Sequence, residues 1–236
     1  MQRYFASLIN GSVNLSTEDI HHITHVMRMR VGDQFEVVDD KVTYLVEITS
    51  INPLTTKVVE QRVEDVEINA HITLFFALAK GDKIDLVIQK ATELGVHRIV
   101  LFKSSRCVVN FDNKDLSKKI VRFNKIAKEA SEQCHRLIVP EIDIIQNLNE
   151  IDKYMEEVNL IAYEKVAGAT TNSFNFNNKD VKGVSIMIGS EGGFDPEEVD
   201  YVLNKGFEVV SLGKRILRCE TAAIYALSVL AYKLEK

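Results

Sequence analysis

The sequence predicts an α/β protein in two parts: a small β-rich barrel over residues 1–70, then a parallel sheet with helices on its faces over residues 71–236. Three observations lead there. Short runs with β-branched residues, broken by turn residues, fill the first seventy positions. From Ala70 onward apolar strands alternate with amphipathic helical stretches, the pattern of a parallel sheet. Near the end, two glycine-bearing loops each follow an apolar run and lead into a helix, and the C-terminal strand ends of open α/β sheets are where ligands bind.

In the first part, Ser16 or Thr17 caps a helix that includes His21, His22, Val26 and Met29. Gln34–Val38, Thr43–Ile48 and Lys57–Val63 read as strands, separated by Gly32-Asp33, Asp39-Asp40 and Asn52-Pro53. In the second part, Ile72–Leu78 is a continuous apolar strand and Asp82–Leu94 an amphipathic helix stopped by Gly95. Arg98–Phe102 is a strand, Leu116–Cys134 a long helix and Val158–Tyr163 a further strand, while the Asn-rich 172–178 reads as a surface loop. Val184–Ile188 is a short, mainly apolar run, as a buried parallel strand should be. Asp195 then reads as an N-cap, Pro196 as the first helical residue and Glu198 as the closing member of a capping box. Gly206 stops that helix, Phe207–Leu212 is the next strand, and Gly213–Glu220 leads into an apolar helix from Thr221 to about Leu234.

At 236 residues with 46% apolar content the chain has ample material for a core. It lacks a run of 18 apolar residues, and its opening Met1-Gln2-Arg3-Tyr4-Phe5 lacks a signal-peptide core, so a cytoplasmic protein without a membrane span is expected. Cys107, Cys134 and Cys219 are odd in number and lack zinc spacing, which points to a reducing compartment and no metal. His21 and His25 share a helix face, but a third ligand is missing. The net charge of −5 is unevenly spread. Residues 1–70 hold 6 basic against 11 acidic side chains, residues 71–140 hold 13 against 7, and residues 141–236 hold 10 against 16. A basic middle segment can meet a phosphate backbone despite the overall charge. The alternative is a solvated helix face, since Lys114, Lys118, Lys119, Arg122, Lys125 and Lys128 recur at near-helical spacing.

The stretches G-S-E-G-G-F-D-P-E-E (189–198) and L-G-K-R-I-L-R-C-E-T-A-A (212–223) carry the chemistry. Gly189, Gly192 and Gly193 permit close backbone approach. Lys214, Arg215 and Arg218 stand among Leu212, Ile216 and Leu217, a mixture of cations and large aliphatics that a purely structural turn rarely needs. A phosphate-binding G-x-x-x-x-G-K-[ST] loop is absent, as are G-x-G-x-x-G after the first strand of the second part and a G-x-S-x-G elbow.

Together with K-G-D-K-I-D-L-V-I-Q-K-A-T-E-L-G-V (80–96), E-A-S-E-Q-C-H-R (129–136) and H-H-I-T-H-V-M-R-M-R-V-G-D (21–33), these motifs resemble the RsmE family, bacterial methyltransferases acting on uridine N3 of 16S ribosomal RNA. The resemblance covers nearly the whole chain. It implies a SPOUT-type parallel sheet with a C-terminal trefoil knot, a PUA-like RNA-binding domain over 1–70, S-adenosyl-L-methionine as methyl donor, 16S rRNA or the small subunit as partner, and a homodimer. The chain departs from the family pattern at Ser190, commonly proline, at Cys219, commonly threonine, and at His135, commonly glycine or asparagine.

The same resemblance implies a cofactor site built from Leu160 and Ala162 at a strand end, Gly189, Ser190, Glu191, Gly192 and Gly193 in the first loop, and Leu212, Ile216, Leu217, Arg218, Cys219, Thr221 and Ala222 in the second. Loop amides would meet the adenine edge and the aliphatic residues its face. Methylating N3 requires loss of a weakly acidic proton and stabilisation of the resulting anion. Glu191 and Glu220 are the candidate bases and Arg218 the candidate anion stabiliser; the plainer reading of Glu220 is a favourable charge at a helix start. Arg3, Arg28, Arg30 and Arg136 are candidate RNA contacts, since guanidinium forks suit phosphate. Competing readings are a SPOUT enzyme acting on another base or a ribose 2′-hydroxyl, and a non-catalytic RNA-binding module. The final helix, rich in alanine and leucine, predicts burial on all sides, either within the chain or against a second copy.

Overall fold

The computed structural model describes residues 1–9, 11–107, 113–163, 174 and 181–235, the first three residues of the long helix by their backbone alone; nearly all of the Asn-rich 172–178 lies outside them. The chain divides into two compact units: Met1–Glu67 with Ser131–Ile138, and Ile68–Ala130 with Val139–Lys236. The second stretch of the first unit, eight residues from the middle of the chain, has no counterpart in a reading of two contiguous domains.

The first unit is built on a four-stranded sheet, β1 (Arg3–Phe5), β4 (Gln34–Asp39), β5 (Val42–Ile51) and β6 (Leu54–Arg62) in that spatial order. β1 runs parallel to β4 and the rest is antiparallel; β2 (Ser7–Ile9) and β3 (Ser12–Asn14) form a separate hairpin. Tyr4, Phe35, Val37, Val46 and Ile48 alternate inward from the sheet and close on Ile23. Helix α1 (Thr17–His21) starts where the sequence places it, with Ser16 Oγ accepting the Asp19 amide at 3.0 Å. It then widens into a π-turn over His22–Val26 and ends before Met29, because Arg28 adopts a left-handed backbone with φ +53°. His135 also sits at positive φ (+60°), a backbone conformation that glycine and asparagine adopt more readily.

Two of the expected RNA contacts belong to this unit's interior. Arg3 is only 3% exposed. Its guanidinium donates to Glu36 at 3.0 Å, to Glu64 at 2.7 Å and to the His135 carbonyl at 2.7 Å. Arg136 is 4% exposed and donates to Glu67 at 2.7 Å, while the same carboxylate accepts the Leu137 amide. Both arginines tie the 131–138 segment, β1 and the 64–67 stretch together with charge-assisted bonds. The expectation that they contact phosphate is corrected: a buried, carboxylate-paired guanidinium has no open donor face for RNA.

The second unit is a six-stranded, wholly parallel sheet. Its spatial order is β12 (Glu208–Val210), β10 (Val158–Ala162), β11 (Gly183–Ile188), β7 (His71–Ala77), β8 (Arg98–Phe102) and β9 (Glu141–Ile145). Both faces are covered, so the central strands are mainly apolar, with only Thr73 and Ser185 as fully buried polar side chains in β7 and β11. One face packs on α2 (Lys83–Glu93), α3 (Asn113–Gln133) and α5 (Cys219–Leu234), through Ile84, Val87, Phe123, Ala223 and Leu227 among others. The other packs on α4 (Pro196–Asn204) and a 3₁₀ helix over Leu148–Tyr154. After edge strand β12 the chain returns so that α5 lies on α2 and β11, the path that a C-terminal knot needs. The small Ala223 and Ala226 let α5 approach closely, and both are fully buried within the chain. Its outer side keeps Tyr225 40% and Tyr232 84% exposed. Among the described residues no helix is long and apolar enough to cross a membrane.

Candidate functional site

Three strand ends and two loops meet at the C-terminal edge of this sheet. β11 ends at Ile188, and Gly189–Phe194 turns tightly: Ser190 and Gly193 form an isolated bridge, and the Gly193 amide donates to the Ser190 carbonyl at 2.9 Å. The turn requires left-handed backbone at Gly193 (φ +67°), not at Gly192. The expectation for Gly192 therefore changes in kind. Its missing side chain makes room for the protein itself, since a Cβ there would sit 3.1 Å from Arg106 Cβ and 3.2 Å from the Arg106 carbonyl oxygen. Asp195 caps α4 with the full capping box to Glu198. The Glu198 carboxylate also accepts Ser104 Oγ at 2.9 Å and the Ser105 amide at 2.7 Å, and Arg106 pairs with Asp195 at 3.2 Å. The short loop after β8 thus braces the glycine loop from behind.

The second loop leaves β12, turns at Gly213 (φ +106°) and enters α5 at Cys219. Between the loops lies a cavity of about 410 Å³, a size that suits a nucleoside-like ligand. Of the expected cofactor residues, Ala162, Gly189, Ser190, Glu191, Gly193, Leu212, Ile216, Leu217, Arg218, Cys219 and Ala222 line it. Leu160 is buried in the sheet instead, Gly192 faces Arg106, and Thr221 is exposed on α5. Lys83, Ile188, Phe194, Gly213 and Arg215 also line it and were not among the expected cofactor residues; Tyr163, at the end of the strand expected to form one wall, lines it too. Tyr163 and Ile188 simply extend strands already implicated. Lys83 enters from α2, within the K-G-D-K motif, and its spacing to the loops gives no local clue.

Lys83 organises the charge at the cavity wall. Its Nζ lies 2.9 Å from Glu191 Oε1 and 3.5 Å from Glu220 Oε2. Glu191 also accepts the Lys80 amide at 3.2 Å, and the Cys219 thiol donates to Glu220 at 3.2 Å. The hydrogen bond to Glu191, with the charges of Glu191 and Glu220, holds the lysine above its ordinary range. Burial alone would raise Glu191, but hydrogen bonds from Lys83, its own amide and Lys80 outweigh it and hold the carboxyl low. Glu220 is likewise raised by burial and lowered more by its own amide, the Cys219 thiol and Lys83. Burial, reinforced by the bond to Glu220, pushes the Cys219 thiol up to about 12. Ionised carboxylates are in the form a base needs, but holding their pKa low makes Glu191 and Glu220 weaker proton acceptors than free carboxylates.

In the first unit, Arg28 and Arg30 are exposed, beside the exposed Val26, Met27 and Val31. The His21 and His25 rings stack at 4.6 Å, nearly parallel.

Comparison with known proteins matches this architecture throughout. Residues 66–231 match the RNA methyltransferase domain family, and residues 15–60 match the RNA methyltransferase PUA domain. The chain is 35% identical over 250 aligned positions to ribosomal RNA small subunit methyltransferase E of Bacillus subtilis, covering 100% of this chain and 98% of that protein. It is 33% identical to the protein of the same name from Buchnera aphidicola of Schizaphis graminum, over 98% of this chain and 94% of the other. Among solved structures, methyltransferase E of Neisseria gonorrhoeae bound to S-adenosyl methionine superposes with a TM-score of 0.87 at 28% identity, covering 99% and 98% of the two chains. A Legionella pneumophila methyltransferase in complex with the same cofactor gives 0.87 at 30% identity, covering 98% and 97%. With both parts matched and full-length identity above 30%, the chain belongs to the ribosomal RNA small subunit methyltransferase E family.

Proposed function

We propose that this protein methylates N3 of one uridine in 16S ribosomal RNA, with S-adenosyl-L-methionine as donor, and that it works as a cytoplasmic homodimer. The observation that carries the reading is the 410 Å³ cavity between the two glycine loops, which combines a nucleoside-sized space with apolar walls and ionised side chains. The residues present suit the cofactor. Leu212, Leu217 and Phe194 offer apolar contact for an adenine face, the loop amides offer donors for its edge, and Glu191 and Glu220 offer negative charge near a cationic ligand. Bound there, the cofactor supplies an electrophilic methyl group. The chain's own residues then hold the loops, exclude water and set the local charge. Arg218, exposed at the cavity mouth just before α5, is placed to meet the target nucleotide or its phosphate. Arg28 and Arg30 supply phosphate contacts from the PUA-like unit. The exposed Tyr225–Tyr232 side of α5, rather than its buried alanine face, is the surface offered to a second copy.

The test has two arms. Calorimetry should show saturable S-adenosylmethionine binding, abolished or much weakened by Leu217→Asp at the cavity wall. Mapping of methylated positions in 16S rRNA from cells with and without the gene should reveal one uridine that depends on it. Binding without a dependent uridine would reduce the protein to a cofactor- or RNA-binding module.

A further inference from the structure

Among the described residues, three cations line the cavity: Lys83, Arg215 and Arg218. The two arginines are exposed on the second loop. Lys83 differs from them in three ways. It comes from the first turn of α2, a rigid element anchored by Ile84, Val87 and Ile88 in the core. Its side chain is 27% exposed and lines the cavity. Two carboxylates fix its ammonium, Glu191 of the first loop at 2.9 Å and Glu220 in the first turn of α5 at 3.5 Å.

Resting on the reading that uridine N3 is methylated, we propose that Lys83 is a catalytic residue that donates a hydrogen bond to a ring oxygen of the target uracil and stabilises the anion formed when N3 loses its proton. The N3–H group lies between two carbonyls. When the N–H bond breaks, its electron pair stays on the ring and spreads onto O2 and O4, while the proton passes to water. An ammonium has three N–H donors and no acceptor. Glu191 takes one at 2.9 Å and Glu220 stands at ion-pair distance, 3.5 Å, which leaves a donor for a substrate oxygen. A donor already oriented by the protein stabilises developing charge without reorganising at the moment of reaction. Glu191 and Glu220 become positioning residues: held ionised, they keep Lys83 protonated and aimed, instead of taking the proton themselves.

An RNA fragment carrying 5-fluorouridine at the target position tests this without turnover, because its ¹⁹F resonance moves when N3–H ionises. Bound to the wild-type protein, the midpoint should fall by about one pH unit or more below that of the free RNA, the scale of one charge-assisted hydrogen bond. With Lys83→Ala it should return to the free value, and with Lys83→Arg most of the shift should remain. In turnover, Lys83→Ala should lose about 100-fold in rate at neutral pH. Part of that loss should be recovered at higher pH, and with 5-fluorouridine RNA, whose N3–H is more acidic. A wild-type midpoint equal to that of free RNA overturns the proposal, and that measurement does not depend on any variant folding. A Lys83→Ala loss that is the same at every pH and with both RNAs also overturns it, since it would mark Lys83 as a loop tie only. If the wild-type protein forms no 3-methyluridine at all, the underlying functional reading fails instead.

Discussion

Arg3 in the first unit and Lys83 in the second are built from the same parts, a cation pinned between two carboxylates that are distant in sequence. Arg3 pairs with Glu36 and Glu64 with its side chain 2% exposed, whereas Lys83 pairs with Glu191 and Glu220 with its side chain 27% exposed beside a cavity. Pairing therefore does not separate a structural cation from a functional one. Access does: with every donor turned inward, Arg3 can only hold the unit together, while Lys83 keeps a direction open to a ligand.

The sharpest way to break the comparison is Arg3→Ala. It leaves Glu36 and Glu64 without their main counter-charge in a buried setting and should cost about 3–5 kcal/mol, read as a lower urea midpoint. Burial pushes Glu64 up, but the Arg3 and Thr43 hydrogen bonds outweigh it and hold the group below its ordinary range. A carboxylate with a depressed folded pKa contributes stability that is fully present above its unfolded pKa and is lost as pH falls through the folded value. Wild-type stability should thus decline in acid below the ordinary carboxylate range, and the decline should be shallower in Arg3→Ala. An Arg3→Ala protein as stable as the parent would contradict the structural role.

Replacing Arg28 and Arg30 together asks the opposite question of exposed cations. Stability should hardly change. RNA affinity should fall by about tenfold or more near physiological salt, and the log–log salt dependence should become shallower by about 1.5 for two lost single-strand phosphate contacts. An unchanged slope would remove them from the RNA surface.

Glycine substitutions give smaller effects. Gly193→Ala places a side chain at φ +67° with open space around it, so backbone strain of about 1–2 kcal/mol should be the whole cost. Gly192→Val meets Arg106 instead and should act by displacing the brace. Adding Arg106→Gly, which removes the Cβ that stands 3.1 Å away, should then recover part of the lost cofactor affinity, measured by calorimetry; no recovery would place the Gly192 effect elsewhere. The smallest expected effect on the single chain is Tyr232→Glu, which should leave its stability within about 0.5 kcal/mol. It should shift the mass in light scattering from dimer to monomer if the outer side of α5 is the interface.

Much of the fold was readable from the chain. The alternation after residue 70, the Asp195-Pro196-Glu198 capping box and the run of loop glycines are local signals, and local signals survive in a one-dimensional string. Most of the loop residues that the family resemblance implied at the site do line the cavity. What escaped was long-range. Lys83 meets Glu191 across 108 positions, and Arg3 meets Glu64 across 61. No spacing rule links such pairs, so an arginine bound for the interior looked the same as Arg28 or Arg30. The 131–138 segment joined the first unit through the buried Arg136, again by contacts invisible to periodicity. The end of α1 at Arg28 escaped because a non-glycine residue took the left-handed position there.

The central claim is that the cavity edged by Lys83 directs a methyl group to uridine N3. The most direct measurement is to incubate the purified protein with small ribosomal subunits and methyl-labelled S-adenosylmethionine, digest the 16S rRNA to nucleosides and identify the labelled species by mass spectrometry. The account predicts a single labelled product, 3-methyluridine. Label in a ribose-methylated nucleoside, in another base, or in no nucleoside at all would contradict it.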